Sequence, residues 1–95
     1  MIKTDPENAL FHYMLGLEYL KAEHSGKAVE PLRESIRIKP DYSAAYRELG
    51  KALEKEEQTS EAIEIYEKGI DVAEEQGDLQ TAKEMRVFVK RLHKK

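Results

Sequence analysis

The chain contains no cysteine. That excludes a disulfide framework, a thiolate zinc site and a cysteine nucleophile, and it fits a reducing compartment. Proline and glycine are scarce, at 3 and 5 of 95 residues, so long turn-rich or low-complexity stretches are excluded as well. No run of eighteen apolar residues occurs, and the opening Met-Ile-Lys-Thr-Asp-Pro lacks the apolar core of a secretion signal. The expectation is a soluble cytoplasmic protein without a membrane span.

What is present points to helices. The chain is 40% hydrophobic and 37% charged, and it is rich in Ala, Leu, Glu, Lys and Arg. The apolar content is too high for a disordered tail. Ninety-five residues make one small domain, in which a core is marginal unless the architecture is efficient or the protein self-associates. The net charge of −3 is unevenly spread. Residues 1–53 balance, residues 54–78 are strongly acidic, and residues 79–95 are basic. That asymmetry concerns surfaces and partners rather than fold.

An internal period organises the chain. A shift of 34 residues superimposes Pro6 on Pro40, Leu15-Gly16 on Leu49-Gly50, Ala28 on Ala62 and Ile36 on Ile70. Conservative matches keep the register: His12 with Tyr46, Tyr19 with Leu53, Val29 with Ile63, and Leu32 with Tyr66. Gly16 and Ala28 fall in successive helices, as do Gly50 and Ala62. Paired helices approach closely where small residues meet, so these positions are expected to face each other at two crossings. Pro40 cannot continue the helix before it and turns the chain into the next.

His12-x2-Leu15-Gly16-x2-Tyr19, then Ala28-x3-Leu32, then Pro40, resembles the tetratricopeptide repeat. The second copy reads Tyr46-x2-Leu49-Gly50-x2-Leu53, then Ala62-x3-Tyr66, with Glu74 where the proline would stand. The resemblance covers residues 7–76, is that of a small bacterial-type domain of the family, and makes Asp5-Pro6 look like the close of a preceding unit. It implies an all-α fold: two helix-turn-helix repeats in a right-handed superhelical stack, repeat 1 over residues 7–40 and repeat 2 over 41–76, within a single domain spanning 1–95.

The pattern predicts helices over 7–22, 26–38, 42–56 and 60–76. Ser25, Asp41, and Thr59 or Ser60 are the N-cap candidates. Pro31 falls inside the second helix and removes one backbone bond. Gly77-Asp78 reads as a C-cap followed by an N-cap. A last helix over 79–93 (cap segment 78–93) places Leu79, Ala82, Met85, Phe88, Val89 and Leu92 on one stripe. It departs from the repeat, with Lys83-Glu84 where Leu-Gly is expected, and is read as a helix capping the open end of repeat 2.

In this family the concave face, lined by the first helix of each repeat, holds extended or helical peptides. By position, the resemblance places Leu10, Tyr13, Leu17, Leu20 and Lys21 in that groove from repeat 1, and Ala44, Arg47, Lys51, Glu54 and Lys55 from repeat 2. Arg47, Lys51 and Lys55 share one side of their helix. An apolar half beside a basic half suits a peptide with an apolar side chain next to carboxylates. The plainer reading of the same cations is a solvated face paired with nearby acids.

The first helix is unusual in another way. From Ala9 to Leu20 its only charge is Glu18, and apolar side chains point nearly all round. Some surface should cover it: a second copy of the chain, a partner, or Ile2 and the N-terminal segment folding back.

No catalytic or metal-binding constellation accompanies the repeat. His12, His24 and His93 share no ligand spacing, and His12 reads as a packed core histidine. Ser25, Ser35, Ser43 and Ser60 lack a His-Asp context. Glu61, Glu64, Glu67, Asp71, Glu74 and Glu75 are spaced as a solvent face. The run Lys90-Arg91-Leu92-His93-Lys94-Lys95 suits a helix C-terminus and lacks interleaved aromatics.

The functional expectation is a non-enzymatic scaffold that binds a protein or peptide and needs no cofactor, with self-association through the first helix. The alternatives are an accessory or regulatory subunit of an enzyme complex, or nucleic-acid binding through the basic C-terminal helix. Chaperone-tail recognition is disfavoured, because Tyr13, Leu17 and Glu48 stand where that clamp uses Lys and Asn.

Overall fold

The computed structural model describes residues 7–94. Asp5-Pro6 and Ile2, invoked above for a preceding unit and a folded-back segment, lie outside the described residues. Within them the chain forms five helices: α1 (Ala9–Lys21), α2 (Ser25–Ile38), α3 (Ser43–Lys55), α4 (Thr59–Glu75) and α5 (Leu79–His93). Each expected helix is present, with ends shifted by at most two residues.

Short turns join the helices, and three of them share one geometry. After α1, the Glu23 N–H donates to the Leu20 carbonyl and the His24 N–H to the Tyr19 carbonyl. The same pair of bonds follows α3 at Glu57 and Gln58, and follows α4 at Gly77 and Asp78. These are Schellman closures, which satisfy the last carbonyls of a helix by passing one residue through the left-handed region. That residue is Glu23 (φ 61°), Glu57 (φ 61°) and Gly77 (φ 75°).

These closures move the caps away from where the sequence placed them. His24 and Gln58 end one turn and also occupy the cap positions of α2 and α4, so Ser25 and Thr59 are already first helical residues. At the differently built α2–α3 turn, Tyr42 rather than Asp41 occupies the cap position of α3. None of those three helices has a side-chain cap bond. Instead the Ser25 hydroxyl donates to Glu56 of repeat 2 at 2.5 Å. Two true side-chain caps exist: Asn8 accepts the Phe11 N–H at 3.1 Å, and Asp78 accepts the Thr81 N–H at 3.3 Å. Asp78 is the cap anticipated from sequence.

The glycines at these crossings make room for bulky partners. A Cβ on Gly16 would lie 2.6 Å from Leu32 Cγ, and one on Gly50 would lie 2.1 Å from Tyr66 Cε1. Each crossing thus sets a knob against a glycine: the large residue of the second helix fills the space that the glycine leaves. Leu32 and Tyr66 are fully buried there, with Ala28, Leu49, Ala52, Leu53 and Ala62 around them. Gly69 repeats the device, facing Tyr46 and Met85.

Repeat 2 departs from repeat 1 where Glu74 replaces the proline. α2 stops at Ile38 ahead of Pro40. With no proline to stop it, α4 runs three residues past the position equivalent to Ile38 and ends only at the Gly77 turn. The turn that follows is one residue shorter than the α2–α3 turn. α5 therefore starts 36 residues after α3 (Leu79 against Ser43), a slip of two from the 34-residue period.

α5 closes the stack by packing on α4, burying Ala82, Met85 and Leu92, with Phe88 and Val89 partly buried. Leu79, placed on the same stripe by the sequence pattern, is the first residue of α5 and is 68% exposed. Among the described residues the backbones of α1 and α3, and of α3 and α5, approach closely, whereas those of α2 and α4 stand farther apart and are bridged by the Arg33–Glu61 ion pair. The stack therefore bends around its odd-numbered helices, and α1, α3 and α5 line the inner face.

Candidate functional site: the face formed by α1, α3 and α5

Tyr13 of α1 stacks on Tyr42, the residue that leads into α3, with ring centroids 4.9 Å apart. Burial raises the Tyr13 phenol above its ordinary pKa and the Glu48 carboxylate adds to the rise, with the neighbouring Arg47 acting against both. Leu17 and Leu20 are half-buried, and Leu20 packs against the core. Leu10 is 55% exposed, and the exposed Lys21 contacts Glu18 at 3.8 Å.

On α3 the three cations have separate fates. The Arg47 side chain is only 23% exposed and bonds Glu48 and, across to α5, Glu84, each at 2.8 Å. Burial opposes its charge, but the two carboxylates overcome that and hold the guanidinium above its ordinary pKa. Arg47 therefore acts as a strut between α3 and α5. Lys51 approaches Glu48 at 3.5 Å and reaches over the Phe88 ring, 5.8 Å from its centroid. Lys55 is exposed at the rim, and Ala44 is half-buried.

Glu54 sits between elements. It accepts the Tyr66 hydroxyl of α4 and the Arg91 guanidinium of α5, the latter at 2.5 Å. Burial raises the Tyr66 phenol well above its usual range, and its donation to Glu54 raises it further. Arg91 also lies over Phe88, with Cζ 5.2 Å from the ring centroid. Phe88 is thus flanked by two cations. The depression it floors, about 220 Å³, is lined by Lys51, Glu54, Lys55, Phe88 and Arg91. A neighbouring depression of about 270 Å³ on α5 is lined by Gln80, Lys83, Glu84, Val87 and Phe88.

Of the residues expected in the groove, Tyr13 lies near Arg47, Lys51 lies near Glu48 and Phe88, Lys55 borders the Phe88 depression, and Leu10 and Lys21 stand exposed on α1. What sequence reasoning missed is α5, taken only as a cap, although it supplies Phe88, Arg91 and Glu84. The missing signal is the two-residue slip. A shift of 34 puts Arg47, Lys51 and Lys55 opposite Thr81, Met85 and Val89, which are buried or half-buried. A shift of 36 puts them opposite Lys83, Val87 and Arg91, which line the depressions.

The remaining chemical candidates are dispersed. His12 lies half-buried on α1 with its ring edge-on to Phe11, whereas His24 and His93 are exposed. Of the C-terminal cations, Arg91 is tied to Glu54, while Arg86, one turn earlier on α5, pairs with Glu74. No described helix is long and apolar enough to cross a membrane.

Comparison with known proteins agrees with this architecture. The tetratricopeptide repeat model matches residues 9–42 and 43–76, one match per helical pair. The TPR repeat-containing protein PA0015 of Pseudomonas aeruginosa is 36% identical over 92 residues, covering 97% of this chain and 88% of that protein. The solution structure of protein BPP2914 from Bordetella parapertussis is 35% identical with a TM-score of 0.84, over 96% of this chain and 77% of that one. The solution structure of a tetratricopeptide repeat domain protein from Salinibacter ruber is 32% identical with a TM-score of 0.83, over 94% and 90% of the two chains. The fold serves generally as a protein–protein interaction module. With two matched repeats covering most of its length, the chain belongs to the tetratricopeptide repeat family.

Proposed function

We propose that the protein is a non-enzymatic interaction scaffold of the cytoplasm that holds a peptide segment of a partner protein on the face formed by α1, α3 and α5. One observation carries the reading: Phe88 lies between Lys51 and Arg91, with Lys55 exposed at the rim of the same depression. An apolar side chain of the peptide rests on the Phe88 ring, and a flanking carboxylate meets Lys55 and Lys51. Arg47 contributes indirectly. It is engaged by Glu48 and Glu84 and holds α3 at a fixed distance from α5.

The test uses synthetic peptides bearing one Leu or Phe flanked by Asp or Glu, titrated by fluorescence anisotropy at low and high salt. Salt-sensitive binding that disappears in the Asn/Gln versions, and is lost in Phe88→Ala and Lys55→Glu proteins, supports the reading. Absence of binding, or binding indifferent to both substitutions, overturns it.

A further inference from the structure

The exposed flank of α1 carries a pattern of its own. The residues exposed along it are Glu7 just before the helix, then Leu10, Met14 and Lys21, with Leu17 half-buried between the last two. Their spacing alternates three and four, the spacing of a helix-pairing seam. Leu10 and Met14 are both 55% exposed, and α1 has no charged residue in its first turn to solvate that flank. Of the four large hydrophobic residues exposed among the described residues, two are these neighbours on one helical turn; the others, Leu79 and Val87, are separate positions on α5.

The charges at the two ends of the seam say what covers it. Glu7 and Lys21 lie seven residues to either side of Met14 and carry opposite signs, both with largely exposed side chains. A two-fold axis through Met14, relating α1 to an antiparallel copy, sets each Glu7 opposite the other chain's Lys21. It also sets each Leu10 against the other Leu17, and Met14 against itself. A parallel pair would put Glu7 beside Glu7 and Lys21 beside Lys21. The antiparallel pair also brings each helix's N-terminus beside its partner's C-terminus, which the helix dipoles favour. Glu7 already accepts the Arg37 guanidinium at 2.9 Å on one carboxylate oxygen, so Lys21 of the second copy would join an existing ion pair.

We infer that α1 is a self-pairing surface, and that two copies of the chain associate antiparallel through Leu10, Met14 and Leu17 with Glu7 and Lys21 closing the ends. The contact is isologous, so it stops at a dimer. It leaves uncovered the Phe88 depression of the peptide-holding face, whose residues Lys51, Lys55, Phe88 and Arg91 lie on α3 and α5. A seam about 20 Å long buries less than a standard interface, so the dimer is a weak one, with a dissociation constant of about micromolar or above.

Sedimentation equilibrium across a wide range of protein concentration tests this. The unaltered chain is expected to follow a monomer–dimer equilibrium. Met14→Glu, which places two carboxylates on the axis, is expected to raise the dissociation constant by about tenfold or more while leaving the thermal unfolding curve unchanged. Lys21→Glu should weaken association, Glu7→Lys should do the same, and the double charge swap should restore it. Phe88→Ala should have no effect. A monomer at every concentration, unchanged association of Met14→Glu, or failure of the double swap to recover overturns the inference.

Discussion

Glu23 and Glu57 stand one repeat apart and hold the same left-handed backbone, with φ 61° at each. Each ends the first helix of its repeat by the bond pattern that closes α4 at Gly77. An L-residue in this region costs about 1–2 kcal/mol, which glycine avoids at the expense of greater freedom when unfolded. Glu23→Gly and Glu57→Gly are therefore expected to stabilise the protein by about 0.5–1 kcal/mol each. Gly77→Ala should destabilise by about 1 kcal/mol, although nothing stands within 4 Å of the added methyl. Urea unfolding followed by helical circular dichroism measures all three. A loss of stability on introducing glycine at Glu57 would contradict the account.

The knob-against-glycine contacts should differ in tolerance. At Gly50 a new Cβ meets the rigid Tyr66 ring, which is stacked near Phe88 at 5.4 Å and anchored by its hydroxyl to Glu54. At Gly16 it meets the flexible end of Leu32. Gly50→Ala is expected to cost about 2–3 kcal/mol and Gly16→Ala about 1–2 kcal/mol, the difference reflecting what the neighbour can do to make room. The same denaturation series checks the order, and an equal or reversed cost would count against it.

The strut between α3 and α5 can be measured as a coupling. Removing Arg47 takes the nearest cation from Glu48, which is only 8% exposed, and also cuts the link to Glu84. Removing the Glu84 charge leaves Arg47 with Glu48. Arg47→Ala is therefore expected to cost more, about 1–3 kcal/mol against about 0.5–1 kcal/mol for Glu84→Gln, with a coupling near 1 kcal/mol in the double-mutant cycle. Amide exchange should show the loosening in α5 first. Additive single effects would mean that the Arg47–Glu84 contact carries no energy of its own.

The sequence foretold the helices and their pairing because the period rests on residues whose role is steric: Gly16, Gly50, Ala28, Ala62 and Pro40. It was less informative where one residue serves two elements. Ser25 looked like a cap and instead bonds Glu56 of the other repeat, because the left-handed turn at Glu23 is not written in a glycine. The contribution of α5 to the inner face was hidden by the same Glu74 that was noted as a departure. Losing the proline lengthens α4, and that length resets the register of every residue after it. Arg47, Lys51 and Lys55 do share a side of α3, but which of them is left to meet a ligand depends on Glu48 and Glu84. The burial of Glu48 and the position of α5 are tertiary facts.

Asp78 joins capping to titration. Its carboxylate accepts the Thr81 N–H at the start of α5 and, at 2.8 Å, the hydroxyl of Ser43 at the start of α3. Those bonds, the Thr81 contact foremost, hold its pKa below the ordinary value of 3.8. A depressed native pKa means that the stabilisation is fully present above the unfolded value and is lost as pH falls through the native one. Asp78→Ala should cost about 1–2 kcal/mol at neutral pH through loss of the cap. Asp78→Asn keeps a capping oxygen and should cost less. The difference in stability between the unaltered protein and Asp78→Asn should shrink below about pH 4, because protonation removes the charge that the substitution already lacks. Thermal unfolding of both proteins between neutral and acid pH measures that difference, and a gap that widens on acidification would reverse the assignment.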